Sequence, residues 1–430
     1  VRILHVSTRL ILGGSQENTV LSCEGQALRG HEVHLAFGPI YGPEGSLLQR
    51  VEAFNRAHPD HAIRTHVVPD LVRPVHPLRD RRAWRQLRAL VRAVRPDVVH
   101  THSSKAGVLG RAAAWREGGR AGTVRVVHTI HGPPFMPVEG GAAARCRVRL
   151  NNALYTLAER FAATRCHAIV SVADAMTRQF LARGIGRPEQ YVTVASGMET
   201  GPFLHAAPGE DRDTVRARLG LGPGDFVIGT VARLARHKGH DDLLDALADD
   251  LRAHPDWKLL WVGDGWWRDR LLARARSAGI AVRALDVDSS SLASRPASEP
   301  PPQLLLTGLV PPERIPGLMR AMDVLAHPSY REGLPRTVPQ ALLAGVCPVA
   351  YDCDGTPEVV RDGQTGLLVP TGDRAALRAA VRRAAANPAE RAAMAARGRA
   401  ECAERFAVER MVEALEGVYR SPERAGRAAT

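Results

Sequence analysis

The sequence predicts an α/β protein of two domains, each organised around a parallel sheet, and three observations carry that prediction. Short β-branched runs alternate with longer helical patterns along almost the whole chain, the signature of strand–helix–strand units. The 430 residues, at roughly 150 per domain, leave room for two or three separate cores. A stretch at 195–222, rich in glycine, proline and charge and without a strong strand pattern, divides the alternation into two series.

In the first series the strand candidates are 2–7, 32–36, 97–101, 124–129, 168–171 and 191–195, with helical patterns at 81–94 and 147–164. The second runs through 226–231, 258–262, 304–307, 323–326 and 347–351. The expected domains are therefore 1–200 and 201–404. Residues 286–302 (DVDSSSLASRPASEPPP) are Ser/Pro-rich and poor in large apolar groups, which predicts a flexible surface insertion before the strand at 304. The tail from 373 is Ala/Arg-rich and helical in period. Its last helix, 405–420, carries Phe406, Met411, Leu415 and Val418 and is expected to pack back on the first domain.

Composition narrows the function classes. With 45% hydrophobic and 24% charged residues the chain is globular. The net charge of +13 is uneven: residues 1–200 hold 27 Lys+Arg against 15 Asp+Glu, whereas 201–430 hold 31 against 30. Nucleic acid, an anionic membrane or an acidic substrate would each suit such an excess, as would a plain preference for arginine. Only Lys105, Lys238 and Lys258 among the 58 cations are lysines. Nucleic-acid binding is not expected, because the basic residues lack interleaved aromatics or a recognisable motif. Six cysteines without a CxxC pair suit a reducing compartment. Residues 1–14 show no cleavage site and nowhere do 18 apolar residues run together, so a cytoplasmic, non-spanning chain is expected.

In parallel α/β sheets ligands bind beyond the carboxyl ends of the strands, and the unusual residues fall there. Gly13 and Gly14 follow the first strand and would bring backbone N–H groups to an anion at a helix start near Gln16. His100, His102 and Lys105 follow the third strand, and His128, His131 and Gly132 the fourth. The four histidines invite a metal reading, but no carboxylate or cysteine beside them completes a ligand set, and no metal is assigned. His131, in a loop before glycine, is the functional candidate. In the second series, Arg233 and Lys238 lie between a strand and a helix start, where two cations can clamp a diphosphate and stabilise a leaving phosphate. Glu332 and Gln340, eight residues or about two helical turns apart, would line one pocket and bind hydroxyls. Asp354, Gly355 and Glu358 close the next strand.

Taken in order, HTHSSKAGVLGR, HTIHG, GTVARLARHKG, VGDG and PSYREGLPRTVPQALLAGVCPVAYDCDGTPEVVRDGQTGLLVP span nearly the whole chain and resemble glycosyltransferase family 4, retaining enzymes of GT-B fold. The resemblance implies two facing Rossmann-like domains with a cleft between them. It implies a UDP- or GDP-sugar bound chiefly by the C-terminal domain and a glycan, lipid-linked or small-molecule acceptor bound chiefly by the N-terminal one. It also implies no obligatory metal and no cofactor beyond the nucleotide-sugar substrate. Carried over by position, Arg233 and Lys238 hold the donor diphosphate and Glu332 the sugar hydroxyls, with Gly263, Gly333 and Leu334 beside them. Gly13 and Gly14 approach the diphosphate or reacting sugar, and His131 the sugar near its anomeric centre.

Two departures stand out. The second acid of the family's paired-Glu motif, which holds the nucleotide ribose, is Gln340 here; an amide bonds a diol without charge assistance. Leu334-Pro335 replaces a frequent Phe-Gly, removing one backbone donor. Both departures keep a non-catalytic nucleotide-sugar scaffold among the alternatives, with a GT-B-fold epimerase as another. A nicotinamide-dependent dehydrogenase is not expected, because Gly263-Asp264-Gly265 is followed by Arg268 where GxGxxG needs its third glycine. The basic excess then falls on the acceptor domain, densest at 73–95, which predicts peripheral contact with anionic lipid.

Overall fold

The computed structural model describes residues 1–40, 45–136, 141–285 and 302–420. The predicted flexible insertion at 286–302 lies, apart from Pro302, outside the described residues. The chain divides into two compact units, residues 1–198 with 407–430, and 199–406.

The first unit is a seven-stranded parallel sheet of β1 (Arg2–Ser7), β2 (Glu32–Phe37), β3 (Arg64–Val67), β4 (Val98–His102), β5 (Arg125–Ile130), β6 (Ala168–Ser171) and β7 (Tyr191–Thr193). Its order is β3-β2-β1-β4-β5-β6-β7. Helices α1 (Gly14–Leu28), α2 (Leu48–Ala57), α3 (Pro77–Val94), α4 (Ser104–Ala114), α5 (Ala142–Ala163) and α6 (Asp174–Leu181) cross between the strands. The central strands are buried on both faces by helices packed on each side, their apolar residues interrupted by the buried polar residues His5, His100, Thr101, His102, His128 and Thr129.

The second unit contains α7 (Gly201–Leu204), α8 (Arg212–Leu219), β8 (Phe226–Val231), α9 (His240–Ala253), β9 (Trp257–Val262), α10 (Arg268–Ser277), β10 (Val282–Ala284) and β11 (Leu304–Leu306). It continues with α11 (Ile315–Arg320), β12 (Val324–His327), α12 (Thr337–Leu343), β13 (Cys347–Asp352), β14 (Leu367–Pro370), α13 (Arg374–Ala386) and α14 (Pro388–Arg405). Its parallel sheet has the order β10-β11-β9-β8-β12-β13-β14. One core joins Ile228, Leu259, Trp261, Val324 and Val349 of the strands to Leu243, Leu247, Leu271 and Leu377 of the helices.

The final helix, α15 (Val408–Arg420), belongs to the first unit. Met411, Val412, Leu415 and Val418 are buried with Ile3, Leu21, Val98 and Val127, each such burial worth about 1.5–3 kcal/mol. Gly25 permits the close approach: a Cβ there would lie 2.5 Å from Val412 Cγ2. All six cysteines are unpaired, and all but Cys146 are buried.

Candidate active site

Both sheets reverse their winding at one point, between β1 and β4 in the first unit and between β8 and β12 in the second. Loops at the carboxyl ends of those strands diverge and leave room for a ligand. Most of the sequence candidates sit at these strand ends or at those of the adjoining strands β5, β9 and β13, with Lys105 in α4 and Gln340 on α12.

In the second unit Lys238 ends the turn that follows β8, and Glu332 lies in the loop after β12. Lys238 Nζ donates to Glu332 Oε1 at 2.6 Å, with the side chains only 19% and 12% exposed. His327 Nε2 is 3.2 Å from the same oxygen. Burial pushes the Glu332 carboxyl up, but the charge of Lys238 and the bond from His327 outweigh it and hold the group well below the usual carboxylate range.

Backbone geometry locks the pair in place. The His237 carbonyl accepts from Tyr330 N at 2.8 Å and from Ser329 Oγ at 3.1 Å, tying the β8 loop to the β12 loop. Gly239, with φ of +72°, presses so closely on the β12 loop that a Cβ would lie 1.9 Å from the Pro328 carbonyl oxygen. From the other side the Glu332 N–H donates to Asp354 Oδ2 at 2.7 Å, and Gly355 N–H to the Gly333 carbonyl at 3.1 Å. Gly263 follows β9 with φ of +136°, where a Cβ would lie 2.2 Å from the Ala232 carbonyl oxygen. That glycine lets the β9 loop close on the segment carrying Arg233.

Arg233 is exposed, its guanidinium 5.4 Å from the ring centre of Trp266. Trp266, 77% exposed, was not singled out by the sequence, where an apolar residue after a strand looks like core. Gly333 and Leu334 are buried in the β12 loop. Gln340 lies on α12, but residues 332–336 are not helical, so two continuous helical turns do not separate it from Glu332. The other two lysines are engaged elsewhere: Lys105 pairs with Asp80 at 2.6 Å, and Lys258 donates to the Pro255 carbonyl at 2.6 Å.

In the first unit α1 begins at Gly14, two residues earlier than expected, with Gly13 as its cap and no side-chain capping bond. Its first-turn N–H groups and positive dipole end suit an anion. The histidines do not form one group. Parallel register sets His100 beside His5 and Thr101 beside His128, so His128 lies on the opposite face from His100 and His102. His128 instead bonds Thr101 Oγ1 at 2.9 Å. His5, hidden within the apolar run of β1, is the member that the sequence reading missed. His5, His100 and His102 bring ring nitrogens within 4.8 Å of one another, donors of the kind a zinc-class ion takes. Those nitrogens already have protein partners, so an ion would have to displace hydrogen bonds. His131 joins them through His102 Nδ1, 3.1 Å from His131 Nε2.

The family model described as Glycosyltransferase Family 4 matches residues 12–200, and that described as Glycosyl transferases group 1 matches 225–387. The chain belongs to glycosyltransferase family 4. The enzyme is 31% identical over 261 residues to a 2-deoxystreptamine glucosyltransferase of Streptomyces kanamyceticus, covering 60% of this chain and 62% of that one. This glycosyltransferase thus spans less than two thirds of that relative. It is 27% identical over 317 residues to the UDP-Gal:alpha-D-GlcNAc-diphosphoundecaprenol alpha-1,3-galactosyltransferase of Escherichia coli, covering 73% of each chain. In fold it matches the crystal structure of Anabaena Alr3699/HepE in complex with UDP, with a TM-score of 0.71, 20% identity and coverage of 97% and 99% of the two chains. The chain is therefore a family 4 glycosyltransferase with the GT-B fold.

Proposed function

We propose that this glycosyltransferase moves a sugar from a UDP-sugar, or in second place a GDP-sugar, to a hydroxyl of a lipid-linked or other glycan acceptor, with retention of anomeric configuration. The carrying observation is the Lys238–Glu332 pair held at the β8/β12 switch point, with Arg233 on the same loop as Lys238. Arg233 and Lys238 take the donor diphosphate and neutralise the charge that builds on it as the glycosidic bond breaks. Glu332, ionised at neutral pH, accepts hydrogen bonds from sugar hydroxyls. Gly263, Gly333 and Leu334 shape the floor on which the donor rests, and Gln340 bonds the ribose diol through its amide. Gly13 and Gly14 present the α1 N-terminus to negative charge, and His131 contacts the sugar near its anomeric carbon. Cations and helix ends supply the charge stabilisation, so the reaction proceeds without an obligatory metal. UDP takes first place because the fold relative Alr3699/HepE was captured with UDP.

The enzyme works at the cytosolic face of the membrane, in cell-envelope polysaccharide or glycoconjugate assembly. Supporting this, α3 exposes Arg79, Arg81, Arg82, Arg85 and Arg92. On α5, Leu150, Leu154, Leu157 and Phe161 are exposed at spacings of four, three and four residues, one face of a helix. Among the described residues no helix is long and apolar enough to cross a membrane.

The deciding experiment screens UDP- and GDP-sugars for thermal stabilisation, then follows transfer to membrane-extract acceptors by mass spectrometry and NMR. An α-linked product from an α-linked donor is expected. Epimerised donor would mark an isomerase, binding without turnover a scaffold, and an inverted linkage would overturn retention.

A further inference from the structure

Asp242, the third residue of α9, is buried. A carboxylate taken out of water is costly unless its oxygens are hydrogen-bonded, and both oxygens of Asp242 are. Tyr330 and Tyr351 donate their phenolic O–H groups to Oδ2, the latter at 2.9 Å, and Arg374 Nε donates to Oδ1 at 2.9 Å. The donors come from three places: Tyr330 from the β12 loop, Tyr351 from β13 and Arg374 from the first position of α13. The two phenol rings meet edge to face, their centres 5.6 Å apart.

One of these donors leads directly to the candidate site. Tyr330 lies two residues before Glu332, and the segment that carries Lys238 holds it at two points. Its N–H donates to the His237 carbonyl at 2.8 Å, and its phenol donates to Asp242. His237 and Asp242 flank Lys238 in sequence, so backbone and ring of Tyr330 are both fixed relative to that lysine. Glu332 is fastened in turn from the β13 side, where Asp354 Oδ2 accepts its N–H at 2.7 Å.

We propose that Asp242 is a positioning residue for sugar transfer: through Tyr330 it holds the β12 loop against the Lys238 segment, so that Glu332 stays aimed at the sugar hydroxyls once Lys238 turns to the diphosphate. The inference rests on the roles given to Lys238 and Glu332 under the proposed function. A donor that draws Lys238 away takes the ion-pair partner of Glu332 with it. From then on the carboxylate is kept in place by its loop, and the loop by its anchors.

The test has two arms. Tyr330→Phe removes the phenolic O–H and keeps the ring, whereas Tyr351→Phe removes the same kind of bond from the same oxygen but lies outside the loop. In the ligand-free enzyme, hydrogen exchange read by mass spectrometry on peptides covering 328–334 is expected to speed up about fivefold in Tyr330→Phe and to stay within about twofold of the parent in Tyr351→Phe. Adding Tyr330→Phe to Asp242→Ala is expected to speed it less than about twofold further. Unchanged exchange in Tyr330→Phe, equal acceleration in both tyrosine variants, or full additivity with Asp242→Ala overturns the clamp. In the second arm, calorimetry measures the affinity for UDP, UDP-glucose, UDP-galactose and UDP-N-acetylglucosamine. Tyr330→Phe is expected to weaken the tightest of the three UDP-sugars roughly fivefold, on the scale of one hydrogen bond, with UDP within about twofold. In a Glu332→Ala background the same substitution is expected to cost less than about twofold. A loss shared equally by UDP, or one that recurs in full without the Glu332 carboxylate, overturns the positioning role. If Glu332→Ala alone leaves UDP-sugar affinity at the parent level, the role proposed for Glu332 fails instead, and the exchange rates still decide whether Asp242 holds the loop.

Discussion

Lys238 Nζ sits 2.6 Å from Glu332 Oε1, so the lysine of the β8 loop and the carboxylate of the β12 loop neutralise each other before any donor arrives. A buried pair of this kind makes each partner costly to remove alone, because the other is left charged and desolvated. Lys238→Ala is expected to reduce kcat on the order of 100-fold or more, since the cation that the proposed function sets against the leaving phosphate is lost. It is also expected to destabilise the enzyme by about 2–3 kcal/mol, less than for a fully buried pair. Steady-state kinetics and urea unfolding measure the two effects. Unchanged turnover would remove Lys238 from the chemistry.

Gly239 is the hinge of that arrangement. An added Cβ at φ of +72° and 1.9 Å from the Pro328 carbonyl oxygen must move one of the two loops. Gly239→Ala is expected to cost about 2 kcal/mol or more in stability and to weaken donor binding with it, because Lys238 is the preceding residue. Thermal unfolding with and without UDP reports both. An alanine variant as stable as the parent would mean that the loops have room to part.

Acid should unfold the enzyme through its neutral histidines. His5 and His237 are lowered to about 4 and His240 to about 3, each mainly by burial, and His100, His102 and His128 lie well below 6.5 for the same reason. Below pH 6.5 the unfolded chain takes up protons that the folded one refuses. Stability is therefore full above 6.5 and is lost as pH falls toward the folded values, by about 1.4 kcal/mol per pH unit for each such histidine. Glu332 works in another window: its folded value is depressed, so its contribution is present above the unfolded value and lost only as pH falls below it. His240, whose ring nitrogens have no hydrogen-bond partner among the described residues, gives the cleanest variant. Urea midpoints at pH 7.5, 6.5 and 5.5 should show His240→Phe losing less stability than the parent on acidification, by one histidine's share. An identical slope would contradict the neutral, buried state of His240.

Much of this architecture was legible in the sequence, and the misses share a cause. Buried inner strands such as β8 and β9 are mostly apolar or β-branched, interrupted only by Gly229 in the one and Lys258 in the other. The strands not foreseen, β3, β10 and β14, are each outermost or one end of their sheet. Arg64–Val67 is mostly exposed, Val282–Ala284 spans three residues and Leu367–Pro370 ends in proline, as suits edges paired on one side. The site divided in a similar way. Loop cations and glycines announce themselves after a strand, whereas His5 sits inside Ile3-Leu4-His5-Val6 and acquires its meaning only when parallel register sets it beside His100. No pattern local to Gln26 or Tyr419 could have shown that these two, 393 positions apart, are hydrogen-bonded.

Transfer is expected to survive chelation. In the proposed function Arg233 and Lys238 supply the positive charge that a divalent ion would otherwise bring to the diphosphate. Activity in excess EDTA within about twofold of that in magnesium is the expected outcome. Loss of activity that returns with one added metal would overturn the metal-free reading and direct attention to the His5, His100 and His102 nitrogens.

Lipid contact divides between a charge effect and an apolar one. The exposed arginines of α3 attract an anionic surface at about 1 kcal/mol each close to the bilayer, an attraction that salt screens. Leu150, Leu154, Leu157 and Phe161 on α5 are insensitive to screening and would enter the headgroup boundary. Arg111 and Glu159, 2.6 Å apart and buried, fasten α5 to α4, so the stripe is presented on a fixed helix. In liposome flotation the enzyme should prefer vesicles with anionic lipid over neutral ones. Arg81→Glu combined with Arg85→Glu should abolish the preference at low salt, whereas Leu150→Glu combined with Leu154→Glu should weaken binding at every salt concentration. If the parent enzyme shows no preference for anionic vesicles, the arginine excess of the first unit has no membrane role, and acceptors carried by lipid must reach the enzyme without a docking surface.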